Sequence, residues 1–185
     1  MPGTSMSDLV GRRTLVAGDV GTGKTRLTRR LLDEALEMGL EDLAVIDMAP
    51  GAVDVNGLPV GGVLVDADSR EIRYLQTDDI KTPRLSARTP EELLQMADHN
   101  KHQVEKMLEA FDSDPSGTLF VNDVSIYLQR GSVERLWETL RRADTVVANG
   151  YMGERLRADM GTGLSKGERE RMDELASRMD RVIRL

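Results

Sequence analysis

Cysteine is absent from the 185 residues, which excludes a disulfide framework, a thiolate metal site and a thiol nucleophile. Aromatic side chains are scarce, with two Phe, three Tyr and one Trp, so the core has to be built from aliphatic residues and ten Met. No apolar run is long enough to cross a bilayer and no secretory leader is legible, so a soluble, cytoplasmic protein with no membrane partner is expected. Positive charge is outnumbered, 25 Lys and Arg against 32 Asp and Glu for a net −7. That balance argues against broad, sequence-independent binding to nucleic acid. Histidine occurs twice, at His99 and His102; both fall on the polar side of a helical pattern with no third ligand at metal spacing, and are read as surface residues. The length suits one domain, set at residues 8–185, after a loose polar tail at 1–7.

What the chain does have is Gly18-Asp19-Val20-Gly21-Thr22-Gly23-Lys24-Thr25, the spacing G-x-x-x-x-G-K-[ST]. Glycines at 18, 21 and 23 let consecutive N–H groups face one concavity and hold phosphate oxygens. Lys24 would bridge the outer phosphates, the Thr25 hydroxyl would complete a Mg²⁺ shell, and Arg26 follows at the cradle's edge. The context fits: Thr14-Leu15-Val16-Ala17 reads as a buried strand, and Leu27, Leu31 and Ala35 recur at helical spacing up to Gly39. The helix dipole then points its positive end at the phosphates.

Taken in order, Leu43-Ala44-Val45-Ile46-Asp47 reads as a second buried strand whose terminal acid either reaches the phosphate site or caps the turn at Pro50-Gly51. Residues 52–88 read as an insert: Asn56-Gly57 signals a tight turn, and Val63-Leu64-Val65 and Ile72–Leu75 are short strand-like pieces of a hairpin. Thr77 to Arg88 favours no regular structure; Arg84 and Arg88 are candidate clamps for an anionic acceptor, set against solvated loop charges. A helix opens with Thr89 as N-cap, Pro90 first and Glu92 closing a capping box. Its apolar stripe contains Asn100, which is either satisfied structurally or aimed into the site. Thr118 to Asp123 is a third strand ending in an acid, the Walker B arrangement that makes Asp123 the first choice for holding the Mg²⁺ shell. Trp137 reads as core, and Thr145–Asn149 as a fourth strand. Gly161-Thr162-Gly163 lacks the lysine of a second phosphate motif. Ser165 with Glu168 reads as another capping box, and Val182–Leu185 as a fifth strand.

On these residues the sequence resembles the P-loop NTPase superfamily. The AAA+ branch is excluded by Asp47-Met48 and Asp123-Val124, where that branch has Asp-Glu, and the Ras-like guanine motif by Asn149-Gly150-Tyr151-Met152, which lacks its acid. The overall likeness is to the group of dethiobiotin synthetase, the septum-site and arsenite-pump ATPases and the signal-recognition GTPases. That resemblance implies a three-layer α/β fold with a mostly parallel sheet of about five strands and a small β-hairpin insert. It implies Asp47 near the phosphates, Asp123 as Walker B acid with Thr25 at the metal, and Asn149 against the base. Asp19 is similar to a loop acid that helps hold metal in dethiobiotin synthetase; it also occupies the place of the septum-site signature lysine, so that dimer-bridging mechanism is not implied. The expected activity is Mg²⁺-dependent phosphoryl transfer or hydrolysis of ATP, ahead of GTP, with Lys24, Asp47 and Asp123 catalytic. An anionic small-molecule acceptor, a partner protein that reads the insert, and a second copy of the chain remain open as partners.

Overall fold

The apolar runs after residues 13, 42, 117 and 144 become strands of one sheet, because a strand covered by helices on both faces has no solvent side to alternate with. The computed structural model describes residues 4–51, 53–55, 58–60, 62, 64 and 72–185. Strand β1 (Arg13–Gly18) leads into helix α1 (Lys24–Glu37) and then β2 (Leu43–Asp47). An antiparallel hairpin follows, β3 (Val53–Val55) with β4 (Leu58–Val60). Next come β5 (Arg73–Leu75), the short α2 (Pro83–Ser86) and the long α3 (Pro90–Ser113). The chain continues through β6 (Thr118–Asn122), α4 (Val124–Leu128), α5 (Val133–Leu140), β7 (Thr145–Tyr151), α6 (Leu164–Arg178) and β8 (Arg181–Arg184).

Six strands form an all-parallel sheet in the order β5-β2-β6-β7-β1-β8. The period of two along each strand sorts its side chains into the outer layers. Val45, Phe120 and Val147 pack with Leu31, Leu32 and Ala35 of α1, while Ala44, Ile46, Leu119, Val121, Val146 and Ala148 pack with α3 to α6 on the other face. The result is a three-layer α/β sandwich of the P-loop type, with the carboxyl ends of β1, β6 and β7 side by side. Among the described residues, no helix is long and apolar enough to cross a membrane.

Local signals explain the boundaries of α3. The Thr89 hydroxyl accepts the Glu92 amide at 3.1 Å, but the Glu92 carboxylate accepts the Arg88 amide at 2.7 Å, one residue upstream of the expected reciprocal bond. Asn100, fully buried, is the structural kind: it accepts from the Lys81 amide at 2.7 Å and donates to the Lys81 carbonyl at 3.0 Å, pinning the preceding segment. Trp137 packs against the core as expected. Both histidines lie at the surface of α3, His99 against Asp79 and His102 on the Asp98 carbonyl.

Several expectations are corrected. Arg73–Leu75 is no part of a hairpin insert; it pairs parallel with β2 as the edge of the main sheet, which brings the count to six strands. The segment expected to lack regular structure contains α2. The tail is not loose at residue 6: Met6 is fully buried and its amide donates to Glu34 at 2.7 Å. Helix α6 starts at Leu164 after Gly163, so Ser165 and Glu168 form no capping box. The Asn56-Gly57 turn, Val63 and Val65 fall outside the described residues; Leu64 is buried without strand pairing.

Candidate phosphate site and its surroundings

Lys24 opens α1 because Gly23, its N-cap, takes a left-handed conformation at φ 93° that residues with a Cβ adopt only at a cost. The turn before it is held by the Thr22 hydroxyl and amide, both donating to the Asp19 carbonyl at 2.9 and 3.4 Å. Val20, Gly21, Gly23, Lys24, Thr25 and Arg26 all face one cavity of about 360 Å³. Gly18, Asp19 and Thr22 shape the loop without lining it. The Lys24 ammonium donates to the Asp19 carbonyl at 2.6 Å. Burial pushes its pKa below the usual lysine range, with the nearby Asp123 and Asp19 carboxylates pulling the other way. An ammonium in that position gains from an anionic ligand.

The opposite wall comes from the ends of β6 and β7. Asp123 leaves β6 in the left-handed region at φ 58° and ψ 58°, a conformation costing roughly 1–3 kcal/mol in a residue other than glycine and characteristic of functional turns. Two contacts impose it: Asn149 Oδ1 accepts the Asp123 amide at 2.9 Å, and the Ser125 hydroxyl donates to the Asp123 carboxylate. Burial raises the Asp123 pKa, against the Ser125 hydrogen bond and the Lys24 and Arg84 charges. Asp123 thus borders the same cavity as Lys24 and Thr25.

Asn149 is placed differently from the expected base contact. It lines the cavity, but its Nδ2 donates to Thr28 at 3.0 Å and to Asn122 at 2.9 Å, so with the Asp123 amide both ends are committed. Asp47, 2% exposed, is likewise no metal ligand or base. Its carboxylate accepts the Ala49 amide at 3.1 Å, the Asn122 side chain at 2.8 Å, the Leu64 amide at 2.9 Å and the Tyr74 hydroxyl at 2.6 Å. Four donors saturate its lone pairs. Asp47, Asn122, Asn149 and Thr28 therefore form a satisfied buried network that fixes the cavity floor. Asn122 also donates to the Gly62 carbonyl at 2.8 Å, tying the hairpin's return to that floor.

Asp19 turns its carboxylate away from the cavity. Burial would raise its pKa, but the Glu154, Val20 and Arg155 amides and the Arg155 charge hold it below the usual carboxylate range. The Glu154 amide donates at 2.9 Å, and a Cβ on Gly153 would lie 2.3 Å from Asp19 Cγ, so only glycine permits this approach. Asp19 latches the segment after β7 to the phosphate loop and holds no metal.

Of the two candidate arginines, Arg88 is exposed and does not line the phosphate cavity. Arg84 is buried: its guanidinium makes a bidentate pair with Glu168 at 2.9 and 3.1 Å and stacks over Tyr151 at 5.3 Å. Sequence reasoning missed Glu168, Tyr151, Asn122, Ser125 and Gln129 as parts of this region; only the polar identity of Asn122 within a buried strand could have flagged one of them.

No group of three or more His, Asp or Glu is arranged to hold a metal among the described residues. A cation here would be shared between few protein oxygens, water and phosphate, which is how Mg²⁺ is bound; the Thr25 hydroxyl and Asp123 carboxylate, hard oxygen donors on one cavity, fit that ion.

No family model and no curated protein matches the chain in sequence. In structure it is similar to the flagellar accessory protein FlaH from Methanocaldococcus jannaschii. The match has a TM-score of 0.50 and 12% identity, over 95% of this chain and 71% of that one. At that identity the likeness shows the fold, and it agrees with the P-loop architecture built above.

Proposed function

We propose that the chain binds Mg·ATP in the phosphate-loop cavity and catalyses transfer of the terminal phosphoryl group to a small-molecule acceptor or to water. One observation carries this reading: the loop main chain, Lys24, Thr25 and Asp123 border a single cavity. The loop amides and the Lys24 ammonium would stabilise charge on the transferring group, and most of the catalysis of phosphoryl transfer is of this electrostatic and positioning kind. Thr25 and Asp123 would hold Mg²⁺, which supplies charge neutralisation at the phosphate oxygens. Titration calorimetry with Mg·ATP is expected to give a dissociation constant between about 1 μM and 1 mM, with GTP competing less well. No heat at saturating ATP would end the proposal, and preferential displacement by GTP would make the guanine nucleotide the substrate.

A second reading is a nucleotide-gated module whose insert is read by a partner protein. It is favoured by the chain of bonds from the cavity floor through Asn122 and Asp47 to the Gly62 carbonyl and Leu64 amide, since a two-state segment needs such a connection. On this reading the Leu64 amide exchanges with deuterium at different rates in the nucleotide-bound and nucleotide-free protein. Equal rates in both states remove it.

A further inference from the structure

Three hollows meet at Tyr151. Besides the phosphate cavity, one of about 540 Å³ opens beside the start of α6, and one of about 50 Å³ lies between the two. Tyr151 walls all three; Asp123 borders the phosphate cavity and the small hollow, and Arg84 borders the small hollow and the large one. The three hollows are thus joined by shared walls rather than an open channel, along a path from the large cavity past Arg84 and Tyr151 to the Asp123 side of the phosphate cavity.

At the inner end of that path Gln129 is 2% exposed and its Oε1 has no hydrogen-bond partner, while its side chain hydrogen-bonds Glu168. A buried acceptor left without a donor costs roughly 1–3 kcal/mol, which a ligand hydroxyl would relieve. At the outer end Arg157, Lys166 and Arg169 line the large cavity beside Asp159 and Glu170. Arg157 pairs with Glu154, Lys166 with Glu170 at 3.8 Å and Arg169 with Asp173 at 3.3 Å; such exposed pairs are weak and re-form readily with a ligand.

The start of α6 is not itself the receptor. Its turn repeats the phosphate loop, with Gly161 and Gly163 left-handed like Gly21 and Gly23, and the Thr162 hydroxyl donating to the Asp159 carbonyl at 2.8 Å as Thr22 does to Asp19. Here, however, the Asp159 carboxylate already accepts the Ser165 and Gly161 amides at 2.9 and 3.1 Å. An anion in this cavity would be held by side chains.

We propose that the large cavity and the hollow behind Tyr151 are the acceptor site, and that they take a small anionic molecule bearing a hydroxyl. Arg157 and Lys166 hold the anionic group near the Arg84 guanidinium, and the hydroxyl points inward, past Tyr151, toward Gln129 Oε1. This rests on the ATP reading above. In the transfer, the acceptor oxygen bonds to the terminal phosphorus and the bond from that phosphorus to the bridging oxygen breaks. Its electron pair leaves with ADP, and the hydroxyl proton passes to an oxygen of the transferred group.

The test loads the protein with Mg²⁺ and β,γ-imido ATP, recording that titration first, and then titrates glycerate, glycerol 3-phosphate and glycerol separately. At least one anion is expected to bind below about 10 mM, the carboxylate and phosphate arms showing which group the cations prefer, with glycerol not binding. Arg157→Ala/Lys166→Ala should weaken that anion roughly tenfold or more with nucleotide affinity retained, and Gln129→Leu should weaken it as well, at some cost in Tm because its bond to the buried Glu168 is lost. Failure of both anions on nucleotide-loaded protein, equal binding of glycerol, or wild-type affinity in the double variant overturns the acceptor site alone. Failure of the first titration overturns the ATP reading, and the acceptor site with it.

Discussion

Lys24→Ala is expected to lower turnover of ATP about 10²–10³-fold, the usual cost of removing one preorganised group aimed at developing charge, and to weaken nucleotide binding with it. The fold should survive, because among the described residues the ammonium makes one hydrogen bond, to the Asp19 carbonyl, and that oxygen can turn to water. Far-UV circular dichroism should be unchanged and Tm should move by no more than about 2 °C, as for a substitution that touches no core contact. Lys24→Arg serves as the control: a planar fork cannot take the place of a compact point charge inside a loop of this radius, so it should rescue little. Calorimetry showing undiminished Mg·ATP affinity in the alanine variant would place the nucleotide elsewhere on the molecule.

Glu168→Ala should be strongly destabilising. Arg84 and Glu168 are 7% and 3% exposed at their side chains, and burial pushes the Glu168 pKa up against the pull of Arg84, so the pair is held together at a desolvation cost. Removing one partner strands a buried charge, typically at about 3–5 kcal/mol, or a fall in Tm of roughly 6–20 °C for a chain of this size. Replacing both, as Arg84→Met/Glu168→Met, should recover most of that loss, since apolar pairs of similar volume often match a buried ion pair. The double variant should at the same time bind the anionic acceptor more weakly. Thermal melts in which the single variant behaves like wild type would show that the pair is solvated and tradable.

The elements legible in the sequence are those whose signal is local. The phosphate loop, α1, β2, β6 and β7 were readable because a central strand buried on both faces leaves a run of apolar residues, and a glycine-rich turn leaves its own spacing. Strand β5 was not: it has three residues, sits half-buried at the sheet edge and carries Arg73, so it looks like one arm of a hairpin. The site was legible where placement depends on a residue and its immediate neighbours: Lys24, Thr25 and Asp123 border one cavity. It was illegible where the role depends on who fills the lone pairs. Asp47 ends β2 as expected, yet Leu64 and Tyr74 claim its oxygens, and Asn149 is spent on Thr28, Asn122 and the Asp123 amide. Arg84 finds its acid 84 positions away, a pairing that no spacing rule discloses.

The sheet order has a consequence for how the molecule comes to exist. Strand β1, from which the phosphate loop springs, pairs only with β7 and β8; Arg13 meets Val146 and Thr14 meets Arg181. During synthesis, at about 5–20 residues per second, that strand waits roughly 7–26 s between leaving the ribosome's decoding centre and the arrival of its first neighbour. Until then its main-chain edges are open, and the loop has no platform to hang from. The loop therefore gains its platform late, once β7 has been made, and any ligand that depends on that platform can be held only from then on.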